Sequence, residues 1–137
     1  MTYKFEQLDV WKLALDYVDI VYKLVEDFPR SEEHNLKSQI VRAATSIALN
    51  IAEGSQGQSD PEQSRFLGMA IRSLVETVAC IQLIRRRGYL QDETLLNKAY
   101  EDSQTLARKL QSFRKSLSNH QYQVREDEIT YGDDDII

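Results

Sequence analysis

"LNKAYEDSQTLARKLQSFRKSL", residues 96–117, places Leu96, Ala99, Ser103, Leu106, Leu110, Phe113 and Leu117 at alternating spacings of three and four. On a helix this makes one narrow stripe of small and apolar side chains. Such a stripe packs against neighbours at shallow, nearly antiparallel angles. A helix of this kind needs partners, and the rest of the chain supplies three.

The segment from Gln7 to Asp27 is apolar at helical spacing and is stopped by Phe28-Pro29, since the residue before a proline is pushed out of helical geometry. Ser31 is expected to cap a second helix, with Glu32 and Glu33 in its first turn, where the dipole favours acids. That helix is expected to reach Glu53, with Gly54 as a left-handed stop. Asp60, Pro61 and Gln63 read as the cap, first position and capping-box partner of a third helix, which ends at Arg87 before Gly88. Asp92 opens the fourth, expected to stop near Ser118. Helices over about 7–27, 31–53, 61–87 and 92–118, joined by short links, predict an all-α, up-down-up-down, left-handed four-helix bundle.

Composition agrees. A chain of 137 residues, 42% hydrophobic and 28% charged, can bury a core as one globular domain. The opening "MTYKFEQLDVW" is no basic-then-apolar leader, and no uninterrupted apolar run nears the ~18 residues of a span. Cys80 is the only cysteine, so no disulfide framework exists. The expectation is a cytoplasmic protein with no membrane partner. The net charge of −5 lies wholly in residues 119–137, which hold one Arg and six acids, so residues 1–118 carry 16 bases and 16 acids. The chain thus divides into a bundle, 1–118, and an acidic tail, 119–137. The tail lacks a sustained helical period and reads as disordered; its charge serves solubility or a contact with a partner.

The first helix is apolar on more than one side. One seam reads Val10, Leu13, Tyr17, Ile20 and Leu24; a second reads Trp11, Ala14, Val18, Val21, Val25 and Phe28. A monomeric bundle needs one apolar face per helix. The second face, with Trp11, Val18, Val21 and Val25, is read as an interface between subunits of a homo-oligomer. The alternative is that N-terminal residues or the tail cover it.

No catalytic constellation forms. A di-iron bundle needs Glu three residues before His; Ser31 precedes His34 and Leu117 precedes His120. One cysteine and two distant histidines make no zinc site. No phosphate-binding glycine loop or nucleophile elbow occurs, and Ser46 and Ser73 lack a nearby histidine. The chain reads as a non-enzyme without cofactor or metal. Two cationic clusters remain: Arg85, Arg86 and Arg87 at the end of the third helix, and Arg108, Lys109, Arg114 and Lys115 on the fourth, where no acid occurs from Ser103 to Ser118. They are candidates for phosphate contact with RNA or DNA. Cations at helix C-termini also simply complement the dipole. Antiparallel helices put the clusters at opposite ends, roughly 35–40 Å apart at 1.5 Å per residue.

Polar residues interrupt "SIALNIAEG", residues 46–54. Antiparallel pairing about the 54–60 link matches positions summing to about 115–119. Arg42 then faces Glu76 as an ion pair, Ser46 faces Ser73, and Asn50, near Met69, caps or cross-links neighbouring backbone. Such groups fix register. Glu53 opposes the helix dipole and is expected to find a cation, Lys4 or Arg65 among them.

"FEQLDVWKLALDYV", "FPRSEEHNLKSQIVRAATSIALNIAEG", "FLGMAIRSLVET" and "RGYL" together resemble the bacterial four-helix-bundle proteins of the 23S ribosomal RNA intervening-sequence family, over about residues 5–118. The resemblance implies a bundle assembling into a ring, typically a homopentamer, without known enzymatic activity. It is also similar to accessory proteins of diversity-generating retroelements, which bind nucleic acid and a reverse transcriptase, so RNA or DNA is the implied partner and a protein partner the alternative. Three positions depart from the family pattern: Val41 stands where a second Arg is usual, "SQGQSD" lacks the usual base, and Arg72 replaces a usual Gly.

Overall fold

The computed structural model describes residues 2–33, 35–57 and 59–129. Four helices build it: α1 (Asp9–Leu24), α2 (Leu36–Ser55), α3 (Asp60–Arg87) and α4 (Thr94–Ile129). Each packs on its neighbours along the chain, and α1 also closes on α4, so α1 and α3 lie on a diagonal. No strand occurs among the described residues. The four-helix bundle expected from the heptad stripe is the fold.

The α4 stripe is buried as its spacing requires: Leu96, Ala99, Ser103, Leu106 and Leu110 face inward, and Phe113 and Leu117 are half-buried. α2 contributes Ile40, Ala44, Ile47 and Ile51, and α3 contributes Leu67, Ala70, Leu74, Ile81 and Ile84. Cys80 is buried among them. The most apolar 18-residue window of α3 has a mean hydropathy of 1.5, long and apolar enough to cross a membrane; here its inward residues serve the bundle core.

Helix boundaries differ from the expectation where local chemistry competes. Ser31 lies inside a 3-10 turn, Arg30–Glu32, and α2 starts only at Leu36. Glu32 does the capping: its Oε1 accepts the Leu36 N–H at 3.2 Å. Ser59, not Asp60, caps α3, accepting the Glu62 N–H at 3.3 Å, which moves Pro61 to the second helical position and leaves Gln63 no capping-box role. Asp92 opens α4 as expected, receiving the Thr94 N–H at 2.9 Å. At its other end α4 runs past Ser118 to Ile129, so the first part of the tail is helical; residues 130–137 lie outside the described residues.

Gly54 is not a left-handed stop. It sits inside α2, and among the described residues Gly88, at φ 66°, is the glycine with positive φ. The reason for glycine at 54 is space: a Cβ there would stand 2.7 Å from Phe66 Cβ. α2 and α3 therefore approach closely, and Ser73 Oγ donates to Ser46 Oγ at 2.9 Å in the expected register.

Candidate nucleic-acid interface

α3 and α4 run antiparallel, as three contacts show: Arg85 reaches Glu93, Arg114 reaches Ser64, and His120 meets Asp60. The two cationic clusters therefore sit at opposite ends of the bundle, as their order in the chain implied.

The end with Arg85, Arg86 and Arg87 is largely committed to structure. Arg85 donates to Glu93 Oε1 at 2.9 Å and to Asn97 Oδ1 at 3.0 Å, joining α3 to the start of α4. Arg87 lines a cleft of about 580 Å³ with Glu32, Gln39, Glu76 and Tyr89. There the Tyr89 hydroxyl donates to Glu32 Oε2 at 2.6 Å. That bond, with the Leu36 N–H and the nearby Arg87 charge, holds the Glu32 carboxyl below the usual glutamate range and pushes the Tyr89 phenol up. Only Arg86 is exposed without a facing acid among the described residues.

On α4, Arg108, Lys109, Arg114 and Lys115 are exposed. Arg108 reaches only Thr105 Oγ1, at 3.5 Å, and neither lysine has an ion-pair partner among the described residues. Arg114 folds back across α3, its Nε donating to Ser64 Oγ at 3.1 Å. Its guanidinium lies over Gly68, where a Cβ would meet the guanidinium carbon at 3.0 Å. A groove of about 420 Å³ results, lined by Ser64, Arg65, Gly68, Met69, Arg72 and Arg114 with Pro61 at its end, and no acid faces it. Arg65 stands over the Phe66 ring, 4.7 Å from its centroid. Arg72 is exposed and has no ion-pair partner among the described residues.

Arg65 and Arg72 were not among the cations read from the sequence as contacting phosphate. The signal existed. Pairing α3 with α4 at sums near 180 sets Arg65 beside Arg114, and Arg72 lies two turns further along the same face of α3.

The α1 reading needs correcting. Val21 is 0% exposed and Val25 2%, both in the subunit's own core, so neither is free for another subunit. The two seams straddle one axis: Val10, Ala14, Tyr17, Val21 and Leu24 point to the centre, while Trp11 and Val18 on one flank and Leu13 and Ile20 on the other are half-buried. Trp11 also packs edge-on against Phe5, with centroids 4.6 Å apart, so the N-terminal segment covers part of that flank. The apolar residues that α1 leaves exposed are Leu15 and Tyr22.

Among the register residues, Arg42 does not pair with Glu76. Arg42 donates to Ser38 Oγ at 2.9 Å, and Gln39 donates to Glu76 Oε2 at 3.2 Å, one turn nearer the start of α2. Asn50 bonds back within α2, to the Ser46 carbonyl at 2.9 Å and the Ser46 hydroxyl at 3.1 Å. Glu53 is exposed and finds no cation among the described residues; it borders an apolar groove of Tyr3, Phe5, Leu49 and Ala52. No group of three His, Cys, Asp or Glu among the described residues is placed to hold a metal.

Comparison with known proteins gives two findings. The family described as 23S rRNA-intervening sequence protein matches residues 6–124. A solved protein of unknown function from the S23 ribosomal protein family of Bacteroides thetaiotaomicron shares 27% identity, with a TM-score of 0.68, covering 77% of this chain and 98% of its own. No curated protein matches.

Proposed function

We propose a binding role without catalysis for this chain, which belongs to the 23S rRNA-intervening sequence protein family: it associates with RNA or DNA through the phosphate backbone. The observation that carries this reading is the acid-free outer face of α4 between Ser103 and Ser118, where Arg108, Lys109, Arg114 and Lys115 stand exposed. Cations of this kind gain affinity by releasing counterions, so binding weakens steeply with salt, by a log–log slope of about −0.7 to −0.9 per phosphate contact. Anisotropy titrations with single- and double-stranded RNA at several salt concentrations test it. Lys109→Glu with Lys115→Glu is expected to weaken binding at least tenfold and flatten the salt slope; salt-insensitive binding that this variant retains rejects the reading.

The working form is a cytoplasmic homo-oligomer, in which repeated copies of α4 build a larger basic surface than one bundle holds. Leu15 (42% exposed) and Tyr22 (52%) on α1 favour it. A protein-binding scaffold is the second reading, favoured by the apolar groove of Tyr3, Phe5, Leu49 and Ala52. A partner recovered from nuclease-treated lysate by the native chain, and lost with Leu49→Asp, would select it.

A further inference from the structure

We infer that the α3–α4 groove of Arg65, Arg72 and Arg114 is a phosphate-binding site, and that it seats one phosphate of the polynucleotide backbone; this rests on the nucleic-acid reading above. Three cationic side chains from two helices line one groove of about 420 Å³ and no carboxylate lines it with them. The neighbouring acids of α3 lie outside the lining: Asp60, which meets His120, and Glu62 at one end, and Glu76, engaged by Gln39, one turn past Arg72 at the other. Like charges gathered in one groove repel, and the contacts of Arg114 with Ser64 and of Arg65 with the Phe66 ring bring no carboxylate into the lining to offset that repulsion.

Gly68 gives a second, independent observation. A glycine inside a helix weakens it relative to alanine. Here the space above its Cα is filled by the Arg114 guanidinium, which any Cβ would crowd at 3.0–3.1 Å. Gly68 is thus the seat that lets Arg114 cross from α4 and lie flat on α3, while Ser64 Oγ takes its Nε proton. Both terminal nitrogens of Arg114 carry protons that Ser64 leaves free. Arg65 and Arg72, two turns apart on α3, flank that seat. Guanidinium groups match the oxygens of a phosphate in pairs. A backbone phosphodiester offers two unbridged oxygens and a single charge, which guanidinium protons from the two sides of the groove meet in pairs.

The test uses the full chain and two probes, inorganic pyrophosphate followed by amide NMR and a mixed-sequence single-stranded RNA followed by anisotropy. Pyrophosphate is expected to shift the Ser64, Gly68 and Met69 amides, and Arg65→Ala with Arg72→Ala to abolish those shifts. The same pair is expected to weaken RNA binding about 30-fold and to reduce the salt slope by about 0.7, the share of one phosphate on a single strand. Gly68→Ala keeps all three charges but displaces Arg114, and is expected to weaken pyrophosphate binding several-fold. Pyrophosphate bound in the groove without any RNA binding sustains the phosphate site and sinks the nucleic-acid reading. RNA binding unchanged in Arg65→Ala/Arg72→Ala but lost on reversing Lys109 and Lys115 overturns the groove and leaves that reading standing. No response to either probe overturns both.

Discussion

The Tyr17 hydroxyl lies 2.7 Å from Thr77 Oγ1, linking the diagonal helices α1 and α3 through the buried centre of the bundle. Thr77 gives its own proton to the Leu74 carbonyl at 2.6 Å, so Tyr17 is the donor to Thr77. The direction of this chain makes its two ends unequal. Thr77→Val strands a buried hydroxyl and is expected to cost about 1–3 kcal/mol, whereas Tyr17→Phe removes a donor whose acceptor stays occupied and costs about 0.5–1.5 kcal/mol. Urea denaturation of both single variants and the double checks the order; a larger cost for Tyr17→Phe would contradict the assigned direction.

Burial also pushes the Tyr17 phenol up to about 12 from an ordinary value of 10.0. The unfolded chain ionises first, so stability complete below pH 10 is lost as pH rises towards 12. A Tyr17→Phe chain lacks that share of the alkaline slope. Denaturation midpoints compared at pH 9, 10 and 11 measure it.

How much of this was legible in the sequence depends on what each residue answers to. The α4 stripe and the Ser46–Ser73 register follow from helical period and antiparallel geometry, which the whole chain obeys. Gly54 misled because a glycine after an apolar run means either a left-handed stop or a close approach, and only the position of Phe66 decides. Val21 and Val25 misled because two apolar seams offset by one residue, about 100° of helical turn, share one broad face once α2 and α4 close on it. Ser31 lost the cap to Glu32 because a 3-10 turn delays α2. The arginine groove stayed hidden because Arg65 and Arg72 look like isolated surface charges until α4 brings Arg114 beside them.

Three glycines are expected to respond differently to alanine. Gly54→Ala forces Phe66 and its backbone to move and should cost about 1–3 kcal/mol. Gly88→Ala strains a φ of 66° in open space and should cost about 1 kcal/mol. At Gly68 only the mobile end of Arg114 must yield, so helix propensity wins and stability should rise by about 0.5–1 kcal/mol. Thermal unfolding of the three variants tests the ranking, and a destabilised Gly68→Ala would contradict it.

Leu15→Lys with Tyr22→Lys is expected to shift a homo-oligomer towards monomer while helicity is retained, whereas Val21→Lys should unfold the bundle. Sedimentation velocity with circular dichroism separates these outcomes. An unmodified chain that sediments as a monomer at micromolar concentration rejects the oligomer outright.

The Glu32–Tyr89 bond predicts an acid-sensitive link between the start of α2 and the end of α3. Because the Glu32 carboxyl is held low, its contribution is complete above the ordinary glutamate range and fades as pH falls through the depressed value. Tyr89→Phe should raise the Glu32 titration midpoint seen by carbon NMR; an unchanged midpoint would show that the bond does not form in solution.

The close seam of α2 and α3 also sets an order of events in folding. The link between Ser55 and Asp60 is short, so this hairpin closes at little entropic cost, whereas docking α1 on α4 must enclose nearly the whole chain. The hairpin is therefore the natural nucleus, with Ile47 and Leu74 joined in it early and Val10 and Leu106 added late. Kinetic φ-values should be high for Ile47→Val and Leu74→Ala and low for Val10→Ala and Leu106→Ala. Damage to the Ser46–Ser73 contact should then slow folding more than it speeds unfolding, so that one pair of hydroxyls governs how fast the molecule reaches its shape.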